Sequence, residues 1–152
     1  MNIHQATIND LDSLTELFDF YRLFYKQESD LNGARAFLEE RLIKKDSVIF
    51  ITYDDGEPVG FTQLFPSFSS VSMQKSWVLN DLYVKETARR KGVATELINK
   101  AIGLAEETKA KGILLETGKE NVKAQKLYET IGFTKDSNYY YYYSLYDNGN
   151  GF

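Results

Sequence analysis

Two strand-to-helix passages in the second half of the chain narrow its fold more than any other feature. Leu79-Asn80-Asp81-Leu82-Tyr83-Val84 reads as the end of a strand. Arg89-Arg90-Lys91-Gly92-Val93-Ala94 then forms a basic, glycine-containing turn from which an apolar pattern of helical period continues. Beyond Gly112, Ile113-Leu114-Leu115-Glu116-Thr117 repeats the strand signal. A second helix pattern follows, with Ala124, Leu127, Tyr128 and Ile131 at helical spacing between Asn121, a suitable N-cap, and Gly132, a suitable stop. A strand, helix, strand, helix rhythm sets parallel strands side by side and opens ligand sites at their carboxyl ends.

The first turn is built to hold an anion. The leading backbone N–H groups of a helix lack intrahelical partners, and the helix dipole puts partial positive charge at the same end. Gly92 has no β-carbon to keep a phosphate off the backbone and Ala94 adds only a methyl, while Arg89, Arg90 and Lys91 add formal charge. Taken alone, such a turn is also common on ordinary protein surfaces.

The first half predicts a strand over Asn2 to Thr7, then a helix capped by Asp10 with Leu11, Leu14, Leu17, Phe18, Tyr21 and Phe24 on one face. A polar, acidic loop from Lys26 to Leu31 leads to a second helix over about Asn32 to Lys44. Ser47 to Tyr53 and Pro58 to Phe65 read as a hairpin around Asp54-Asp55-Gly56-Glu57, with a break or bulge at Pro66. Lys75 to Val84 is the next strand, and the helix after the basic turn extends from about Lys91 to Lys109. The run Tyr139 to Tyr143 is strongly strand-forming, and Asp147 to Phe152 reads as a frayed tail behind a single domain of residues 1–146.

Composition removes several function classes. A chain of 152 residues without cysteine has no disulfide, thiolate nucleophile or cysteine-based zinc site. Its one histidine, His4, lies in the first strand with no metal-site spacing around it, so no metal is expected. A net charge of −4 argues against a general nucleic-acid binder, and its positive charge gathers locally at Arg89 to Lys91 and at Lys119, Lys123 and Lys126. Without an apolar run of about 20 residues or a signal-peptide pattern, a soluble, cytoplasmic protein with no membrane contact is expected.

The two passages, in this order and spacing, resemble the acetyl-CoA-binding core of the GCN5-related N-acetyltransferase (GNAT) superfamily. Leu-Asn-Asp-Leu-Tyr-Val and the early Phe20-Tyr21-Arg22-Leu23-Phe24-Tyr25 look most like its Hpa2-type and diamine or polyamine acetyltransferase branches. The resemblance implies an α/β fold: a mixed, strongly twisted sheet of about six or seven strands, flanked by about four helices. It also implies acetyl-CoA as cosubstrate, a primary amine acceptor (polyamine, amino acid or lysine side chain), direct transfer in a ternary complex, and frequent homodimers. The tyrosine run would fit such pairing.

Carried over residue by residue, the resemblance lays the pantetheine arm along the backbone of Leu82, Tyr83 and Val84, on a strand that carries a bulge or splay. The pyrophosphate would lie over the amides from Arg89 or Arg90 through Lys91, Gly92, Val93, Ala94 and Thr95, and Asn121 would touch the pantetheine arm. Tyr128 matches the tyrosine that can protonate the leaving thiolate, although helical spacing alone makes it an aromatic on an apolar face. The base is open. Polyamine acetyltransferases resembling this chain place a glutamate at Asn80. The neighbouring Asp81 points to the opposite face of a regular strand, so either a bulge brings it in, or water, a backbone carbonyl, Glu28 or Glu116 assists. Tyr21, Arg22, Tyr25 and Glu28, the 65–75 loop and the late tyrosines would select the substrate. A non-catalytic acyl-CoA sensor is the alternative, with Asn80 as its support. A nucleotide-binding regulatory domain is a further alternative, against which the chain has neither a Walker loop nor Gly-x-Gly-x-x-Gly.

Overall fold

The computed structural model describes residues 1–146, so the expected tail at Asp147 to Phe152 lies outside the described residues. The chain forms two compact units, Met1–Gly118 and Lys119–Phe152. In the first, β1 (Asn2–Gln5), α1 (Leu11–Phe24), α2 (Leu31–Lys44), β2 (Val48–Asp54), β3 (Glu57–Ser69), β4 (Gln74–Val84), α3 (Val93–Glu107) and β5 (Ile113–Leu115) follow in order. The second contains α4 (Val122–Ile131).

The strands lie side by side in chain order: β1 to β4 form an antiparallel meander, and β5 joins β4 in parallel. One face carries α1 and α2, where Leu11, Leu14, Leu17, Phe18, Ala34 and Leu38 close on Ile49, Ile51 and Phe61. The other face carries α3, whose Val93 and Leu97 meet Val59, Val84 and Leu82. Burying both faces of a sheet is how a chain of this size removes enough apolar surface from water to fold.

Several expectations are corrected. Five strands are present among the described residues, not six or seven. Tyr139 to Tyr143 is not a strand, and its five side chains are 69–96% exposed. High β-propensity describes fit to a pleated, half-buried surface, and here no ladder offers the run such a surface. β5 ends at Leu115, short of Thr117, and β1 ends at Gln5.

Asp10 does not cap α1 with its side chain. It accepts from the Thr7 backbone N–H at 2.9 Å, closing a capping box on the short 3₁₀ turn Ile8–Asp10. The same carboxylate takes the Tyr53 hydroxyl at 2.8 Å and lies 3.3 Å from His4 Nε2, which gives that histidine a structural role. Phe24, expected on the apolar face of α1, is 56% exposed.

Pro66 interrupts nothing, and the 65–75 segment is mostly hairpin, since Pro66 pairs with Trp77 and Ser69 with Gln74. The bulge falls elsewhere. Gln63 pairs with Asp81 but Leu64 pairs with Leu79, so Asn80 is the extra residue on β4. A single inserted residue reverses the inside-outside alternation of everything beyond it. Trp77 therefore reaches α3, donating from Nε1 to Thr108 Oγ1 at 2.9 Å, while the equally odd-numbered Tyr83 packs on the α1 side.

Candidate active site

The bulge decides which face receives Asp81. It lies on the α1 side, 4% exposed, and its carboxylate accepts from Gln63 Nε2 at 2.6 Å and from Asn80 Nδ2 at 3.0 Å. Tyr21 of α1 completes the surroundings. Its hydroxyl bonds the Asp81 carboxylate and is 3.4 Å from the Asn80 carbonyl oxygen. Burial pushes the Asp81 carboxyl above the ordinary range, and the hydrogen bonds from Gln63, Tyr21 and Asn80 oppose it without cancelling it. A carboxylate whose pKa is raised in this way is a stronger proton acceptor than an ordinary aspartate.

The rings around it are interlocked. The Tyr21 ring meets Tyr25 at 5.0 Å, Phe61 at 5.7 Å and Tyr83 at 6.4 Å between centroids. Arg89 lies over Tyr83 at 5.9 Å and Phe24 at 5.7 Å, and its Nε donates to the Val84 carbonyl at 2.9 Å. Arg89 thus fastens the basic turn to the end of β4 and to α1. Burial raises the Tyr83 phenol, while the neighbouring Arg89 lowers it. The loop after α1 is anchored by the buried Asp19, which accepts from Ser29 Oγ at 2.7 Å and Asp30 N at 2.9 Å. Glu28 is exposed on this loop, and its carbonyl accepts from Arg22 at 2.8 Å.

β5 pairs with β4 only from Trp77 to Leu79. The edge of β4 from Asn80 to Val84 continues without a strand partner among the described residues, while the Leu82 and Val84 side chains pack toward α3. The turn beyond has backbone of unusual hand: Arg90 has φ of 67° and Gly92, the N-cap residue of α3, has φ of 80°. A β-carbon built at Gly92 would meet nothing within 4 Å, so the space over the first α3 amides stays open. Val93 is buried and anchors the helix start, and Arg90, Lys91 and Gly92 are exposed. The donor set of helix amides, glycine and cations fits a diphosphate.

In the second unit, Asn121 caps α4 through its side chain, 3.2 Å from Ala124 N, and Tyr128 sets its ring edge to face with Phe133 at 5.9 Å. The structure therefore brings Tyr21, Tyr25, Asp81, Tyr83 and Arg89 into one connected set, and places Asn121 at the N-cap of α4 and Tyr128 within that helix. Sequence reading missed Gln63 and Ser47. Their trace was a glutamine inside the apolar run Val59-Gly60-Phe61-Thr62-Gln63-Leu64-Phe65. Among the described residues no cluster of three or more metal-ligating side chains is found, and no helix is long and apolar enough to cross a membrane.

Residues 11–133 match the acetyltransferase (GNAT) family. The uncharacterized N-acetyltransferase YhfO of Bacillus subtilis is 46% identical over 142 residues, spanning 93% of this chain and 95% of that protein. A probable acetyltransferase of Haemophilus influenzae is 32% identical over 117 residues, spanning 76% of this chain and 80% of its own length. The crystal structure of a probable acetyltransferase superposes with a TM-score of 0.90 at 45% identity, covering 97% of this chain and 99% of that one. With the bulged β4, the open, basic start of α3 and these relatives on one chain, the protein belongs to the GNAT family of acetyltransferases and is an acyltransferase.

Proposed function

We propose that this chain moves an acetyl group from acetyl-CoA directly to a primary amine within a ternary complex. The observation that carries the reading is the bulge at Asn80. That one residue turns Asp81 toward Tyr21 and lies where β4 parts from β5, so a buried base adjoins an edge able to receive an extended ligand arm. Bound acetyl-CoA would supply an activated acyl carbon and a thiolate leaving group.

The backbones of Leu82, Tyr83 and Val84 would hold the pantetheine arm, with Asn121 assisting. The amides from Arg90 to Thr95, with Lys91, would hold the pyrophosphate, and Arg89 keeps that turn in place. Asp81 would take the proton that turns the incoming ammonium into an amine, and Tyr128 would give its proton to the thiolate and recover one from the acylated nitrogen. Tyr21, Tyr25 and Glu28 offer ring faces and a carboxylate to an alkylammonium group. Acetyl transfer needs no covalent nucleophile, in keeping with a chain that has no cysteine.

The test is thiol release from acetyl-CoA against polyamines, amino acids, aminoglycosides and lysine peptides. Amine-dependent release supports the proposal and names the acceptor class; reaction with hydroxyl or arylamine acceptors alone contradicts it. Acetyl-CoA binding without release for any acceptor would favour the sensor reading, which Asn80 in place of a glutamate supports. The pyrophosphate assignment has its own check. Gly92→Val puts a β-branched residue at a left-handed φ, a strain of about 1–3 kcal/mol, and a side chain over the helix amides. The KM for acetyl-CoA should rise about tenfold or more with a smaller change in kcat, and an unchanged KM would remove the assignment. The homodimer is likewise a proposal; a monomer by light scattering at micromolar concentration would end it.

A further inference from the structure

We infer that Gln63 is a positioning residue for the Asp81 carboxylate, itself held in orientation by Ser47. The inference rests on the reading of Asp81 as the base. Gln63 sits opposite Asp81 in the β3–β4 register, at the step where the bulge begins, and is wholly buried. Its Nε2 donates to Asp81 Oδ2 at 2.6 Å, and its Oε1 accepts from Ser47 Oγ at 2.8 Å.

A primary amide has a donor end and an acceptor end, and a carboxylate accepts at both oxygens. The amide must therefore turn its NH2 to Asp81, which leaves Oε1 for the hydroxyl of Ser47. A methionine or leucine would fill the same volume without desolvating an amide, so packing by itself does not call for glutamine here. The bond tethers one carboxylate oxygen, while Oδ1 takes the Asn80 amide. It also stabilises the anion that burial disfavours.

The titratable group that bonds the Asp81 carboxylate is Tyr21 of α1; Tyr25 and Tyr83 meet the Tyr21 ring, and Arg89 lies over Tyr83. None of these is altered by substitutions at positions 63 or 47. Removing the amide donor disfavours the charged carboxylate, so the limb of the pH–rate profile that reports Asp81 moves to higher pH.

The experiment is the pH dependence of kcat/KM for the acceptor amine, from thiol release, in wild type, Gln63→Met, Ser47→Ala and Asp81→Asn. The acceptor's own ionisation recurs in every profile and serves as the reference. Gln63→Met should move the enzyme's acid limb up by about one pH unit and lower plateau kcat about tenfold, with KM for acetyl-CoA unchanged. Ser47→Ala should move the limb in the same direction by less, and it decides the matter if Gln63→Met does not fold. If Asp81→Asn abolishes the limb while neither Gln63→Met nor Ser47→Ala shifts it, the positioning role is overturned and the base stands. If the limb survives in Asp81→Asn, the base reading fails, and the role of Gln63 with it.

Discussion

Asp81→Asn is expected to change activity and stability in opposite directions. Loss of a general base should lower kcat/KM for the amine by about a hundredfold or more. At the same time the variant should melt at a higher temperature than wild type at pH 7 to 8. The sign follows from burial, which raises the Asp81 carboxyl above its ordinary value. Between the unfolded and folded pKa values the native state binds more protons than the unfolded chain, so wild-type stability declines as pH rises through that window. Below the unfolded value, near pH 4, the contribution is fully restored and the two proteins should differ least. Asparagine has nearly the same shape and carries no charge, and the Asn80 amide can turn to accept from it. Thermal melts across pH, run beside thiol release, separate the two effects. A variant that loses activity and also melts earlier at pH 8 would make Asp81 a structural residue.

Tyr128→Phe should lower kcat about a hundredfold while the dissociation constant for acetyl-CoA stays within about twofold. A phenol with an ordinary pKa near 10 is matched to an alkyl thiolate, and proton donation to a leaving group acts in the transition state alone. Phenylalanine keeps the ring that meets Phe133 and removes only the hydroxyl. Single-turnover thiol release and calorimetric titration with acetyl-CoA measure the two quantities independently. Turnover at the wild-type level would exclude Tyr128 as the acid. A parallel loss of binding would make its role one of holding the ligand.

Local chemistry explains which elements could be read directly. Asn121 and Gly132 bound α4 as their capping preferences dictate, and the Leu11, Leu14, Leu17 and Phe18 spacing gives α1 its buried stripe. The hairpin at Asp54 to Glu57 and the glycine turn before α3 also declare themselves through residues suited to unusual backbone angles. The tyrosine run misled for a related reason. Its propensity is local, but a strand exists only where another backbone pairs with it, and no local pattern records the partner.

Within the candidate site the division is sharper. Gly92, the basic residues around it and the helix that follows were determined by sequence alone, since an anion site at a helix start needs neighbours in the chain and nothing else. The face on which Asp81 lies was decided by the tertiary structure, because alternation along β4 is reset by a bulge that exists only in the pairing with β3. The same pairing brings Gln63 to Asp81, and the packing of α1 on the sheet brings Tyr21, 60 positions earlier in the chain. A buried carboxylate takes its chemistry from the groups that replace water around it. In this protein those groups come from three separate elements, which only the folded chain assembles.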